Sequence, residues 1–365
     1  MSERFIYLDA PLLGSKEKEY LNKAIDSGYV SSVGPFVTEL EERFARFLNV
    51  KKAVAVQSGT AAIHMALYEL GIGKGDEVIV PALTFVASVN PVMYVGATPV
   101  FVDVEPETWN IDPEDIERKI TERTKAIIPV HLYGNPCNMT EIRRIAEKYN
   151  LYIVEDATES LGAKYKGKYT GTFGDFGCFS FNGNKLITTG GGGMIVGSKE
   201  DRLEHIKFLI NQAREVSRGY YHPEIGFNYR MTNIEAALGL AQMERIEEFL
   251  EKKKLFNAIY REELEGIKGV RFQEELKEAE SCWWLTVILI ENCTSIKSLQ
   301  EKLLEIGIQT RGVFMPVVEF PMYKRDRKDY INSYLIYEKG LCLPSSVLND
   351  VDDILFVCKS LKNLI

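Results

Sequence analysis

An α/β protein with one large, mainly parallel sheet and a smaller C-terminal α+β unit is the fold that the sequence predicts. The first observation is an alternation of short β-rich runs with helical segments. The runs lie at 53–56, 77–80, 99–102, 126–129 and 152–154, and helical patterns at 61–70, 85–95, 113–119 and 139–149 separate them. Parallel neighbours need a crossover between them, and an intervening helix supplies it. The second observation is that polar residues cluster just beyond three of these runs, where an open parallel sheet places its ligands. The third is a change of pattern after a Glu/Lys-rich helix near 244–264. Strands are expected at 270–272, 282–290 and 307–309, with helices at 295–306, 330–339 and 350–361. The division is set at 1–245 for the large unit, with its N-terminal arm, and 246–365 for the small one.

Taken in order, residues 1–14 form an arm ending in Pro11 and Gly14. A helix over 16–26 stops at Ser27-Gly28, and another over 36–48 repeats Phe36, Leu40, Phe44 and Phe47 on one face. Residues 28–35 read as the loop between them. Past the sheet pattern, Thr232 with Glu235 three residues on forms a capping box before an apolar helix, whose Ala236, Ala237 and Gly239 permit close packing.

Composition removes several classes of function. A chain of 365 residues with 45% hydrophobic content supplies a substantial core, and the net charge of −8 comes with no basic stretch, which argues against nucleic acid. The apolar run 283–290 is too short to span a bilayer and suits a buried strand. The N-terminus lacks the charged-then-apolar pattern of a signal peptide, so a cytoplasmic protein is expected. Six cysteines occur without a Cys-x-x-Cys pair, and the four histidines are dispersed, so neither a disulfide frame nor a metal site is expected.

One stretch organises the chemistry. Cys178, Phe179 and Phe181 form the end of one strand, and Met194, Ile195 and Val196 form another. Between them Lys185 sits among Asn182, Asn184, Thr188 and Thr189, followed by glycines from Gly190 to Gly193. A loop lysine is ordinarily a solvated surface charge. Here the glycine run lets backbone pass close to something bulky, and an amine held in such a cleft can attack a carbonyl to form a Schiff base.

The segment Phe179-Ser180-Phe181 through Lys185 to Gly193 resembles the lysine loop of the DegT-type nucleotide-sugar aminotransferases. Their usual form is Phe-Ser-Phe, a residue often His, two more, Lys, then Thr-Thr-Gly-Glu-Gly-Gly. This sequence departs at Asn182, in the common His position, and at Gly191, in the common Glu position. The resemblance implies the type I fold of pyridoxal phosphate (PLP) enzymes, with Lys185 carrying the cofactor.

Further positions match the family in order. Gln57-Ser58-Gly59-Thr60 joins a strand to a helix, and the family uses such a segment for the cofactor phosphate; an ordinary N-cap is the other reading. Phe85 matches the aromatic over the pyridine face, with core packing as the alternative. Asp156, at a strand end, matches the carboxylate beneath the pyridine nitrogen, which makes the ring an electron sink. Glu159 falls near the ring's phenolic oxygen, where a charged carboxylate must be protonated, displaced or held by another donor. Ser180 resembles the phosphate-binding serine. Asn228 matches a residue that reaches the phosphate of the neighbouring subunit, which implies a homodimer with shared sites. The loop 212–224 reads equally as a substrate rim or as plain surface.

The function this implies is transamination from L-glutamate, through the pyridoxamine form (PMP), to a nucleotide-linked 4-keto-6-deoxy sugar. UDP is the expected carrier, on the strength of the Asn182–Lys185 variant and the glycine run. The alternatives are another PLP reaction on a nucleotide keto sugar, namely 3-amination or dehydration, and a noncatalytic nucleotide-sugar-binding protein. The family's dehydratases carry His in place of the lysine, so Lys185 speaks against them.

Overall fold

The structure, a computed structural model, describes residues 5–365; residues 1–4 of the expected arm and N-terminus lie outside the described residues. Strands β1 (Ala53–Val56), β2 (Glu77–Pro81), β3 (Thr98–Val102), β4 (Thr124–Ile127) and β5 (Tyr152–Asp156) fall on the five expected runs. Two short strands, β6 (Lys164–Tyr165) and β7 (Lys168–Tyr169), precede β8 (Phe176–Ser180) and β9 (Gly193–Gly197), which flank the lysine loop. The C-terminal part adds β10 (Val270–Phe272), β11 (Ala279–Glu280), β12 (Val287–Ile290), β13 (Arg311–Gly312) and β14 (Gly340–Cys342).

Seven strands form the main sheet in the order β1-β9-β8-β5-β4-β2-β3. The pairs from β8 through β5, β4 and β2 to β3 are parallel, and β9 alone runs against its neighbours. Strands covered on both faces read as continuous apolar runs, and β1 and β2 are buried along their whole length. Alternate residues serve opposite faces. Val54, Val56 and Ile195 pack with helix residues Ala62, Met65 and Ile206, while Ala53, Ala55, Met194 and Val196 pack with Leu40, Phe44, Ala236 and Leu240. The helices concerned include α1 (Ser15–Asp26), α2 (Pro35–Leu48) and α3 (Gly59–Glu69), together with Asn233–Met243. Gly239 is small for a reason: a Cβ there would lie 2.8 Å from Thr189 Cγ2 and 3.1 Å from Leu40.

A second, antiparallel sheet of order β10-β12-β14-β13 packs with the helices Ile246–Leu264 and Val351–Leu364 around Phe256, Tyr260, Ile288 and Val357. Ile6 joins this cluster and bridges to Ile308. No helix among the described residues is long and apolar enough to cross a membrane.

Three elements depart from the expected pattern. The run 85–95 is a 3-10 turn, Val86–Ser88, followed by the helix Asn90–Tyr94, because Pro91 has no N–H and belongs in a first turn. The run 282–290 becomes a strand only at Val287, since Trp283 takes a left-handed backbone conformation with φ 49°. The expected strand at 307–309 lies instead at β13, which begins two residues past the expected end.

Candidate active site

β1, β2, β5 and β8 end at the same edge of the main sheet, and a cavity of about 300 Å³ opens there. Ser58, Gly59, Thr60, Phe85, Asp156, Glu159, Ser180 and Lys185 all line it. Asn228 does not; it is exposed and bridges to Asn211. The loop 212–224 contributes no residue to the cavity wall either.

At one end of the cavity stands the N-terminus of α3. Ser58 caps it, its Oγ accepting from the Ala61 N–H at 3.1 Å. A Cβ on Gly59 would come within 2.8 Å of Thr158 Cγ2 and 3.0 Å of Ser180 Cβ, so only glycine fits between the turn and β8. Gly193 is equally confined, its Cβ position 2.6 Å from Phe179 O and from Ser58 C. The hydroxyls of Ser58 and Ser180 thus both line the cavity at a helix start, which suits a phosphate dianion. Capping and anion binding are compatible here, because Ser58 does the first while the turn as a whole offers the second.

Asp156 closes the floor. It is buried at the end of β5, where Oδ2 accepts from Ser88 Oγ at 2.6 Å and Oδ1 from the Thr158 N–H at 3.1 Å. Thr84 Oγ1 lies 2.9 Å from Ser88 Oγ and extends the chain of hydroxyls. Sequence reasoning gave Thr84 and Ser88 no role, and their four-residue spacing on either side of Phe85 was the available signal for this support.

Lys185 stands opposite. Its Nζ lies 3.8 Å from the centroid of the Trp284 ring and 3.6 Å from Glu159 Oε1. Trp284 is pinned by its own Nε1, which donates to Asn184 O at 2.7 Å, and by the buried Lys253, which donates to Trp284 O at 2.8 Å and to Asp9 Oδ1 at 3.0 Å. Glu159 Oε2 accepts from the Tyr133 N–H at 2.9 Å, and burial raises the carboxyl above its ordinary range. Of the three alternatives set for a glutamate in this position, the geometry meets one: it is held by another donor, the Tyr133 N–H. Phe85 is 54% exposed, its ring 5.6 Å from that of Phe314, so it forms a cavity wall and is not core.

Trp284, Arg311 and Phe314 complete the wall, and sequence reasoning did not find them. They come from the C-terminal third, where the motif likeness is loose. The paired tryptophans, Trp283 and Trp284, were the one signal: two bulky rings ahead of a β-branched run are costly as mere strand filling.

The family model described as the DegT/DnrJ/EryC1/StrS aminotransferase family matches residues 11–362. The chain belongs to that family. A GDP-perosamine synthase of Escherichia coli O157:H7 is 44% identical over 98% of this chain and 98% of its own. A second protein of that name, from Caulobacter vibrioides, is 45% identical over 87% of this chain and 86% of its own. The Spr1654 structure from Streptococcus pneumoniae, in its PMP form, superposes with a TM-score of 0.94 at 28% identity, covering 99% of this chain and 98% of that one. The protein is thus a sugar aminotransferase of the PLP-dependent kind, and its fold is the type I fold that the lysine loop implied.

The residues present fit PLP. The cradle formed by Gly59 and Gly193 admits no side chain, hydroxyls and a helix start face it, and a fixed carboxylate and a lysine face each other across the remaining space.

Proposed function

We propose that this enzyme moves the amino group of L-glutamate to a 4-keto-6-deoxyhexose carried on a nucleoside diphosphate. The observation that carries the reading is the meeting of Lys185, Asp156 and the α3 turn in one cavity. When bound, PLP supplies an electron sink that makes the donor's Cα proton removable. Ser58, Gly59, Thr60 and Ser180 bind the phosphate end, and Phe85 covers one wall. Asp156, its geometry fixed by Ser88 and Thr158, would hold positive charge at the ring nitrogen. Lys185 Nζ takes and returns the proton as general base and acid. Glu159, held by the Tyr133 N–H, stands beside the free lysine amine and orients it together with Trp284.

The carrier base is the finer question. The lysine-loop variant suggests UDP, but that likeness spans a short segment. GDP stands in the names of two relatives that match 98% and 87% of the chain, so GDP is the base proposed. Gly191 lines the cavity, and a Cβ there would meet nothing nearer than Glu235 Oε1 at 3.5 Å, which leaves room for a large anionic acceptor. Offering the PMP enzyme a panel of GDP-, UDP- and dTDP-linked 4-keto and 3-keto sugars decides it. Return of the PLP absorbance is expected fastest with the GDP-linked 4-keto sugar. Reoxidation by 3-keto sugars alone would refute the position of amination, and a UDP preference would restore the loop-based choice.

The working unit is proposed to be a cytoplasmic homodimer in which Asn228 reaches the phosphate of the other subunit. Its exposure outside its own cavity is consistent with that reach. Lys185→Ala and Asn228→Asp proteins, each impaired alone, should recover activity when refolded together, because one of the two shared sites then carries neither change. No recovery in mixtures shown to contain heterodimer would contradict the arrangement.

A further inference from the structure

Asp9, in the N-terminal arm, and Lys253, in the helix Ile246–Leu264, form an ion pair whose side chains are 8% and 2% exposed. Asp9 Oδ1 accepts from Lys253 Nζ at 3.0 Å. The other two ammonium protons go to Trp284 O at 2.8 Å and Ser345 O at 2.9 Å. Asp9 Oδ2 is buried and has no hydrogen-bond partner among the described residues. Burial raises the Asp9 carboxyl above its ordinary range, and the Lys253 ammonium opposes that rise. Taking both charges out of water costs more than apolar packing of similar volume, so stability alone explains the pair poorly.

Nor does the arm need the pair to stay in place. The Ile6 N–H donates to Gly307 O at 2.8 Å, the Leu8 N–H to Gln309 Oε1 at 3.0 Å, and Ser346 Oγ to Ala10 O at 2.6 Å. Both sides of Asp9 are therefore tied without its carboxylate. What the pair supplies is a fixed ammonium at the carbonyl of Trp284. That residue follows Trp283, whose φ of 49° is strained for a bulky side chain and persists only where neighbours enforce it. The Trp284 indole donates from Nε1 to Asn184 O at 2.7 Å and has Lys185 Nζ 3.8 Å from its ring centroid. A continuous chain of contacts thus runs from Asp9 through Lys253 and Trp284 to the reactive amine. Lys185 is itself among the charges that bear on Asp9.

We propose that Asp9 is a positioning residue for Lys185: through Lys253 it fixes the turn that holds the Trp284 ring against the amine. The inference rests on the role given to Lys185 above, and it extends the catalytic apparatus to the N-terminal arm.

The test compares Asp9→Asn with the double variant Asp9→Asn/Lys253→Met, each loaded with PLP. Asp9→Asn should lower the single-turnover rate with glutamate, per bound PLP, by about 10- to 100-fold, the scale of a small misplacement passed on to reacting groups. Half-saturation by glutamate should stay unchanged. The visible circular dichroism of the bound cofactor, which reports how it is held, should weaken with the rate. The double variant removes the buried ammonium and should regain the thermal midpoint that Asp9→Asn loses, while rate and dichroism stay low. It also decides the matter if Asp9→Asn does not fold. Rate and dichroism near the parent's in either folded variant overturn the proposal. So does their recovery along with the midpoint in the double variant, which would make the pair structural only. The Lys185 reading fails separately: borohydride reduction of the parent would then leave the cofactor on another lysine or on none, whatever the Asp9 variants do.

Discussion

Lys185→Ala should still take up PLP but lose transamination by at least ~10²–10⁴-fold, the usual contribution of a positioned general acid–base group. The structure gives the reason for so large an effect. Among the described residues Lys185 is the only lysine that lines the cavity. Lys253, the other lysine near Trp284, spends its ammonium on Asp9 and two backbone carbonyls. Single-turnover conversion of glutamate, followed by absorbance, measures the loss. Lys185 lines the cavity and belongs to no part of the core, so the thermal midpoint should scarcely move. Near-normal turnover would remove Lys185 from the chemistry.

Asp156→Asn carries the second largest expected effect, a fall of about 10²–10³ in the rate of the same half-reaction, as for loss of one preorganised electrostatic partner. Asn is close to Asp in size and can still accept from the Thr158 N–H, so the local turn survives while the negative charge does not. PLP binding should weaken much less than the rate. A variant that loses cofactor affinity and keeps its turnover per bound PLP would show that Asp156 only holds the ring. Ser88→Ala provides the comparison, since it removes one donor and leaves the charge in place.

Much of this site was legible from the sequence because its parts are local. The Ser58 turn, the Asp156 strand end and the Lys185 loop each follow a β-run within a few residues, and a parallel sheet brings such ends to one edge. Trp284 and Arg311 were hidden for the opposite reason. They reach the cavity only through the packing of the second sheet, and the turn at Trp283 that aims Trp284 inward depends on a left-handed backbone at a residue type that rarely adopts one. Ser88 was hidden by the reading of 85–95 as one helix, which buried the short turn that aims its hydroxyl at Asp156. Asn228 marks a different boundary: its proposed partner is in another subunit, and no packing within one chain reveals it.

The central claim is that Lys185 is the residue to which the cofactor is joined in the resting enzyme. Borohydride reduction of the PLP-loaded protein makes that bond permanent, and digestion followed by mass spectrometry then locates it. The account predicts a single phosphopyridoxyl group, on the peptide containing Lys185. A group on any other lysine, Lys253 included, or none on a protein that binds PLP and transaminates, would contradict it.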